Sequence, residues 1–395
     1  MDYDLPDETV ELRRVVRDFA EGEVRPRAAD ADANGELPMD VVAGMGQLGL
    51  FGLVIPEAYG GAGAEFINLC VAIEELARVD SSVAITLSAG VGLGAMPFVL
   101  FGSEEQRQAW LPPMAAGEVL GAFGLTEASG GSDAGALRTT ARDDGEEWVI
   151  DGAKAFITNA GTPISRVVCV AAITGAAERG GKQISTICVP HGTPGFTVGR
   201  AYRKLGWRAS DTRELIFEDC RVPLGNLVGE RGAGYRNFLT ILDGGRVAIA
   251  ALAVGLAQGC LEESMSYARR RTAFGREIGG YQAIQFKLAD MATRIAVARE
   301  QVYKAAWLRD RGRPFKTAAS MAKLFASEVA MDAAREAVQI HGGYGYIEEF
   351  AVARHFRDAK ILEIGEGTSE IQRMLIAREL GLPEAIPRPE RLPPD

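Results

Sequence analysis

Ile284-Gln285-Phe286-Lys287-Leu288-Ala289-Asp290-Met291-Ala292-Thr293-Arg294-Ile295-Ala296-Val297-Ala298-Arg299-Glu300-Gln301-Val302 is the stretch whose reading decides the fold. Ile284, Leu288, Met291, Ile295, Ala298 and Val302 recur at intervals of three and four, the spacing that puts them on one face of an α-helix. The same period returns throughout the chain from Gly232 onward. It predicts long helices at about 233–270, 281–311, 317–340 and 369–380, so residues 231–395 are expected to form a four-helix bundle domain. The last segment, Pro383–Asp395, holds five prolines and reads as an extended tail.

Upstream the texture differs. Between about residues 121 and 230, segments rich in Val, Ile, Thr and Phe alternate with turn residues. Leu137–Arg142 and Trp148–Ile150 flank Asp143-Asp144-Gly145, a hairpin signal. Arg166–Ile173, Ile184–Pro190, Phe196–Arg200 and Arg213–Cys220 read as further strands, with Gly175–Gly181 a surface loop. A central β domain, a sandwich or small barrel, is expected there. Residues 1–120 form an N-terminal helical domain in this reading. Its helices fall at 8 to about 30 (ending near Pro26), 38–48, 65–79, 83–101 and 104–116. The fold class is therefore α+β and multidomain.

Bulk properties exclude several classes of function. The 395 residues are 47% hydrophobic and 24% charged, ordinary for a globular protein. A net charge of −10 with no basic block argues against nucleic acid as a partner. Five scattered cysteines read as buried thiols in a reducing compartment, and three histidines make a histidine-built metal site unexpected. The acidic N-terminus resembles neither a signal nor a transit peptide. No uncharged apolar run is expected to reach ~18 residues, so no membrane partner is expected and the location is read as cytoplasmic.

Four groupings could carry chemistry. Thr126-Glu127-Ala128-Ser129-Gly130-Gly131-Ser132-Asp133 follows a strand and offers clustered N–H groups and hydroxyls, or else is a surface turn. Phe156-Ile157-Thr158-Asn159-Ala160-Gly161 sets an aromatic and a hydroxyl on one strand face, able to cover and hydrogen-bond a planar ring, or is an ordinary strand and turn. Arg269–Arg276 with Tyr281-Gln282 is either dipole-matching charge near a helix end or a pyrophosphate clamp. Gln339-Ile340-His341-Gly342-Gly343-Tyr344 is a glycine-broken helix end, or a place where backbone approaches a cofactor. No G-x-G-x-x-G or Walker loop accompanies them.

A fifth feature is Gly365-Glu366-Gly367-Thr368-Ser369-Glu370-Ile371-Gln372. Ser369 to Gln372 has capping-box spacing, so a helix is expected to begin at Ser369. One carboxylate then stands between two glycines just outside a helix start. It is a solvated loop acid, or a base that a substrate can approach closely.

Taken in order, these motifs, with Phe217–Pro223 and Asn226–Gly234, resemble the acyl-CoA dehydrogenase family over nearly the whole chain. The resemblance implies that family's three-domain fold, FAD as cofactor, an acyl-CoA substrate, an electron-transferring flavoprotein as acceptor and a homotetramer. It assigns Leu125, Thr126 and Ser132 to the flavin and the pantetheine arm. Phe156, where many members have Trp, would pack on the flavin, and Thr158 would hydrogen-bond near its N5. Arg271, Phe274 and Gln282 would hold the diphosphate and adenosine of a partner subunit's FAD. Gln339, Gly342 and Gly343 would approach the dinucleotide, with Thr368 and Glu370 following the catalytic turn. Asp243, Arg246 and Gly367 would contact substrate, and Glu366 would be the catalytic base.

Some family members carry the base immediately before the arginine matched by Arg246. Here that position is Gly245, which leaves Glu366 as the candidate. Glutaryl-type members place an arginine in the early helix, and Ser81-Ser82-Val83-Ala84 offers none, so a dicarboxylyl substrate is disfavoured. The expected reaction is α,β-dehydrogenation of a short- or branched-chain acyl-CoA, in fatty acid or branched-chain amino acid catabolism. The alternatives are an acyl-CoA oxidase or flavin monooxygenase on the same fold, and a non-catalytic acyl-CoA-binding protein.

Overall fold

In the computed structural model, residues 4–177 and 181–383 are described. The expected tail lies outside them except for its first residue, as does part of the Gly175–Gly181 loop. The N-terminal helices are α1 (Asp7–Phe19), α2 (Arg25–Asn34), α3 (Met39–Gln47), α4 (Phe66–Val79), α5 (Ser81–Ala89), α6 (Met96–Phe101) and α7 (Glu104–Ala115). Pro26 does not end the first helix as expected. A π-helical turn, Ala20–Val24, precedes it and the chain continues helically into α2. The wider turn absorbs the missing proline N–H and the ring's clash with the preceding turn. The same arrangement recurs at Gly90–Ala95, just ahead of Pro97 in α6.

The middle of the chain forms one eight-stranded sheet: β1 (Leu120–Gly124), β2 (Thr140–Asp143), β3 (Glu147–Thr158), β4 (Ser165–Ala176), β5 (Lys182–Pro190), β6 (Phe196–Ala201), β7 (Thr212–Pro223) and β8 (Leu227–Val228). The strand order is β6-β7-β3-β2-β4-β5-β8, with β1 parallel to β4. Only Thr140 and Ile173 join β2 to β4, so the sheet folds there into two halves. Trp148, Ile150, Leu215 and Phe217 from one half and Val168, Val170, Ile187 and Val189 from the other share one core, as in a sandwich.

The C-terminal helices are α8 (Gly234–Arg270), α9 (Gln282–Asp310), α10 (Lys316–His341), α11 (Ala351–Leu362) and α12 (Ser369–Glu379). A short ribbon, β9 (Thr272–Ala273) with β10 (Arg276–Glu277), joins α8 to α9. Four of the helices lie where the periodicity puts them; α11 is additional. Met291, Ile295, Ala298 and Val302 are buried, and Ile284 and Leu288 pack against that core.

The helical domains share one core. Every residue of α4 is buried, and it lies directly on α8. A Cβ added at Gly255 or Gly259 would come within 2.2 Å of the carbonyl oxygens of Glu74 and Arg78 respectively, so glycine is required for this approach. Glu74 accepts from Arg299 and Tyr303, and Arg78 bonds Glu75 and Glu262, closing the seam with charge.

The expectation about long apolar runs needs correction. Ser81–Phe101 is an uncharged helical stretch of 21 residues, and Gly234–Arg270, 37 residues long, holds a comparably apolar stretch. By length and composition either could cross a membrane, but 83% and 78% of those stretches lie buried inside the protein. Their apolarity reflects helices enclosed on all sides by protein.

Candidate active site

The turn between α11 and α12 carries Glu366. Thr368, not Ser369, caps α12: its Oγ accepts from the Ile371 N–H at 3.3 Å, while the helix begins at Ser369 as expected. Gln372, the expected partner of a capping box, instead donates to the carbonyl of Gly367 at 3.0 Å and to that of Glu366 at 3.4 Å. Lys323 on α10, fully buried, donates to the same Gly367 oxygen at 2.7 Å. Glu366 is held at φ 52°, a left-handed conformation costly for a side-chain-bearing residue, and Gly367 follows at φ 96°.

This backbone aims the Glu366 carboxyl at α8. Its Oε2 is enclosed and has no hydrogen-bond partner. A Cβ added at Gly245 would lie 2.0 Å from it. Burial pushes the carboxyl up to about 7, against the pull of Lys323 and Arg246. Arg246, 5% exposed, is paired with Asp243, and its Nε–H is likewise buried without a partner. A half-buried carboxyl whose inner oxygen has no partner, and a buried guanidinium N–H without one, in electrostatic contact, mark a place where a polar reactant belongs.

Five and two residues before Asp243, Phe238 and Ile241 of α8 pack with Phe123 and Leu125. Leu125 and Thr126 leave β1 beside the end of β3, where the Ala155 N–H donates to the Thr126 carbonyl at 2.9 Å. Phe156 sits at a bulge with φ 61°, its ring 64% exposed and 5.2 Å from that of Tyr202, while Ile157 turns inward. Thr158 pairs with Thr212 on β7. The structure thus brings the first two groupings together. Ser132 lies exposed on the loop that follows.

That loop is fixed by Lys154, which lies outside the motifs, and by Glu127, which the first grouping contains without a role. Lys154, fully buried, donates to the Leu125 carbonyl at 3.3 Å and to Glu127 at 2.7 Å. Glu127 also accepts from the N–H groups of Arg138 and Thr139. Burial would raise the Glu127 carboxyl, but Lys154 and Thr139 outweigh it and hold it at about 2. The signal available was a single lysine in the otherwise apolar run 153–157.

The remaining residues gather at the far end of α8. Arg271 follows α8, with its guanidinium 5.7 Å from the Tyr344 ring. With Gly342 and Gly343 it lines a cavity of about 620 Å³ between Tyr267, Ile278 and Ile347. A Cβ added at either glycine would meet nothing within 4 Å, so the backbone floor is open. Phe274 (97% exposed), Gln282 and Gln339 face outward nearby. An arginine fork over exposed glycine backbone suits a diphosphate, and exposed aromatic and amide side chains beside it suit a nucleoside. Glu370 is exposed in the first turn of α12. Among the described residues, no group of three or more His, Cys, Asp or Glu could hold a metal ion.

Arg271, the first residue beyond α8, lies 26 residues after Gly245, about 39 Å away along the helix axis. The Glu366 carboxyl beside Gly245 and the cavity at Arg271 are therefore two separate sites on one chain.

Three family models match in succession: the N-terminal (residues 6–118), middle (122–220) and C-terminal (232–381) domains of acyl-CoA dehydrogenase. A probable acyl-CoA dehydrogenase of Bacillus subtilis is 50% identical over 380 residues, covering 96% of this chain and all of that protein. The butyryl-CoA dehydrogenase structure from Megasphaera elsdenii superposes with TM-score 0.93 at 41% identity, covering 96% of this chain and 100% of the other. A chain solved in work on the electron transferring flavoprotein of Acidaminococcus fermentans gives 0.93 at 43%, covering 96% and 99%.

Proposed function

The chain belongs to the acyl-CoA dehydrogenase family, whose members are FAD-dependent enzymes, and from that premise we propose that Glu366 is its catalytic base and a short- or branched-chain acyl-CoA its substrate. The observation that carries this is the Glu366 carboxyl: its Oε2 is enclosed and unpartnered, and burial pushes the group up to about 7. An α-proton next to a thioester is weakly acidic. A carboxylate of ordinary acidity is a poor match for it, whereas one raised toward neutrality and desolvated takes it more readily.

Glu366 removes the α-proton, and its protonated form is tolerated in the enclosed turn because the neutral acid needs no counter-charge. Arg246 and Asp243 hold the CoA portion, and Gly367 gives the thioester room. Leu125, Thr126, Phe156, Thr158 and Ser132 seat the flavin ring and pantetheine arm. Bound FAD supplies the two-electron acceptor for the hydride that leaves Cβ, so that the product is the trans-2-enoyl-CoA. Arg271, Phe274 and Gln282 hold the dinucleotide of a neighbouring copy, Gln339, Gly342 and Gly343 approach the dinucleotide, and Thr368 and Glu370, which follow the catalytic turn, contact the cofactor. The helix length between the two sites supports this sharing within a homotetramer. An electron-transferring flavoprotein as acceptor, a cytoplasmic location and domains at 1–120, 121–230 and 231–395 complete the reading. A short substrate is supported by the similarity to a butyryl-CoA dehydrogenase.

The test is anaerobic flavin bleaching across straight thioesters from C4 to C16, with isobutyryl-, 2-methylbutyryl- and isovaleryl-CoA. Bleaching fastest among the short and branched thioesters is expected; a maximum at C12 to C16 contradicts the substrate assignment.

A further inference from the structure

We infer that Lys323 is the positioning residue of the catalytic turn: it locks the strained backbone that aims Glu366 at the substrate and holds a positive charge beside its carboxylate. The inference rests on Glu366 being the base. Its ground is geometric. Lys323 is fully buried on α10, and its ammonium reaches 44 residues along the chain to donate to the Gly367 carbonyl at 2.7 Å. Gln372 donates to that same oxygen from α12. Two donors from two helices thus converge on the carbonyl of the residue after a left-handed Glu366. Without them, a non-glycine residue at φ 52° has little to prevent its relaxing, which would swing the carboxyl off α8.

The charge matters separately from the bond. Four elements pack on this turn, and the charged groups that act there are Arg246 and its partner Asp243 on α8, Lys323 on α10, Glu363 just past α11 with its partner Lys360, and Glu370 at the start of α12, on which Arg373 and Lys360 act. Burial draws the Lys323 ammonium down to about 8, with Glu366, Glu363 and Glu370 opposing the fall. Of the two cations that act on Glu366, Lys323 outweighs Arg246. With Arg246 already paired to Asp243, Lys323 sets how far burial can raise the base.

The experiment compares Lys323→Gln, which is neutral but can donate to the carbonyl, with Lys323→Arg, which retains charge. Each holoenzyme is followed by butyryl-CoA reduction against pH, flavin content, melting temperature and proton uptake on binding S-butyl-CoA. This thioether lacks the carbonyl that acidifies the α-proton. Lys323→Gln is expected to move the acid limb of reduction up by about one pH unit. The rate at pH 7 then falls about fivefold and recovers by pH 9, and proton uptake on binding the thioether moves to higher pH in step. Lys323→Arg is expected to return the limb to its wild-type position. A rate loss in Lys323→Gln that is equal at every pH, with the limb unmoved, would overturn the inference. So would an upward shift in Lys323→Arg as large as that in Lys323→Gln, and this decides the matter if the glutamine variant loses its flavin. Wild-type enzyme that shows no limb near pH 7 contradicts the assignment of Glu366 instead.

Discussion

Glu366 and Gly245 occupy one another's space: the Cβ that any other residue would place at 245 falls 2.0 Å from Oε2 of Glu366. Position 245 on α8 and position 366 on the α11–α12 turn therefore cannot both bear side chains in this geometry. Gly245→Ala is expected to fold but to displace the carboxyl by about 1 Å, enough to cost about a hundredfold in kcat. Gly245→Glu combined with Glu366→Gly puts a carboxylate into the same volume from the other side and should recover part of that loss. Stopped-flow flavin reduction reads both; an unimpaired Gly245→Ala would show that the carboxyl is not held where it lies.

The raised carboxyl has a consequence for stability. In the unfolded chain Glu366 ionises near 4.5, in the native protein near 7. Between those values the native state keeps a proton that the unfolded state has lost, so stability falls as pH rises through this window. At pH 8 the cost is at most roughly 3 kcal/mol. Glu366→Gln should therefore raise the melting temperature by several degrees at pH 8 and leave it nearly unchanged at pH 4.5, read by calorimetry. Equal melting temperatures at pH 8 would mean that the carboxyl is solvated.

Glu127 behaves oppositely. Its native value of about 2 lies below the unfolded one, so the stabilisation is complete above 4.5 and is lost as pH falls through about 2. Lys154→Met leaves that buried carboxylate without its cation, a change costing about 3–5 kcal/mol. Because Lys154 also ties the Leu125 carbonyl, flavin affinity should drop with it. Flavin retention after dialysis measures this; full retention would detach the ion pair from the cofactor site.

The separation along α8 predicts complementation. If the site is shared as proposed, an Arg271→Ala subunit fails to supply its neighbour's clamp and a Glu366→Gln subunit lacks the base, so each homomer should be impaired. Co-expression should yield mixed assemblies in which an intact Glu366 meets an intact Arg271, with activity regained. No recovery would mean that both residues serve one subunit's site.

The helices and strands were legible in the sequence because their apolar periods are strong. The motif residues drew notice because glycines cluster around them. What stayed hidden depended on partners far apart in the chain. Lys323 reads as one charge on a helix face until Gly367 is folded against it. Glu127 and Lys154 read as separate loop and strand charges. The helix Ala351–Leu362 escaped because Arg354, His355 and Asp358 share its buried face with Val352 and Leu362, diluting the apolar period. Pro26 looked like a helix end because a π turn leaves no mark in hydrophobic spacing.

The most direct test of the account is Glu366→Gln mixed anaerobically with butyryl-CoA. The variant should purify with wild-type FAD content and bind the thioester, yet leave the flavin spectrum unbleached. Bleaching at the wild-type rate would contradict the central claim that Glu366 is the base.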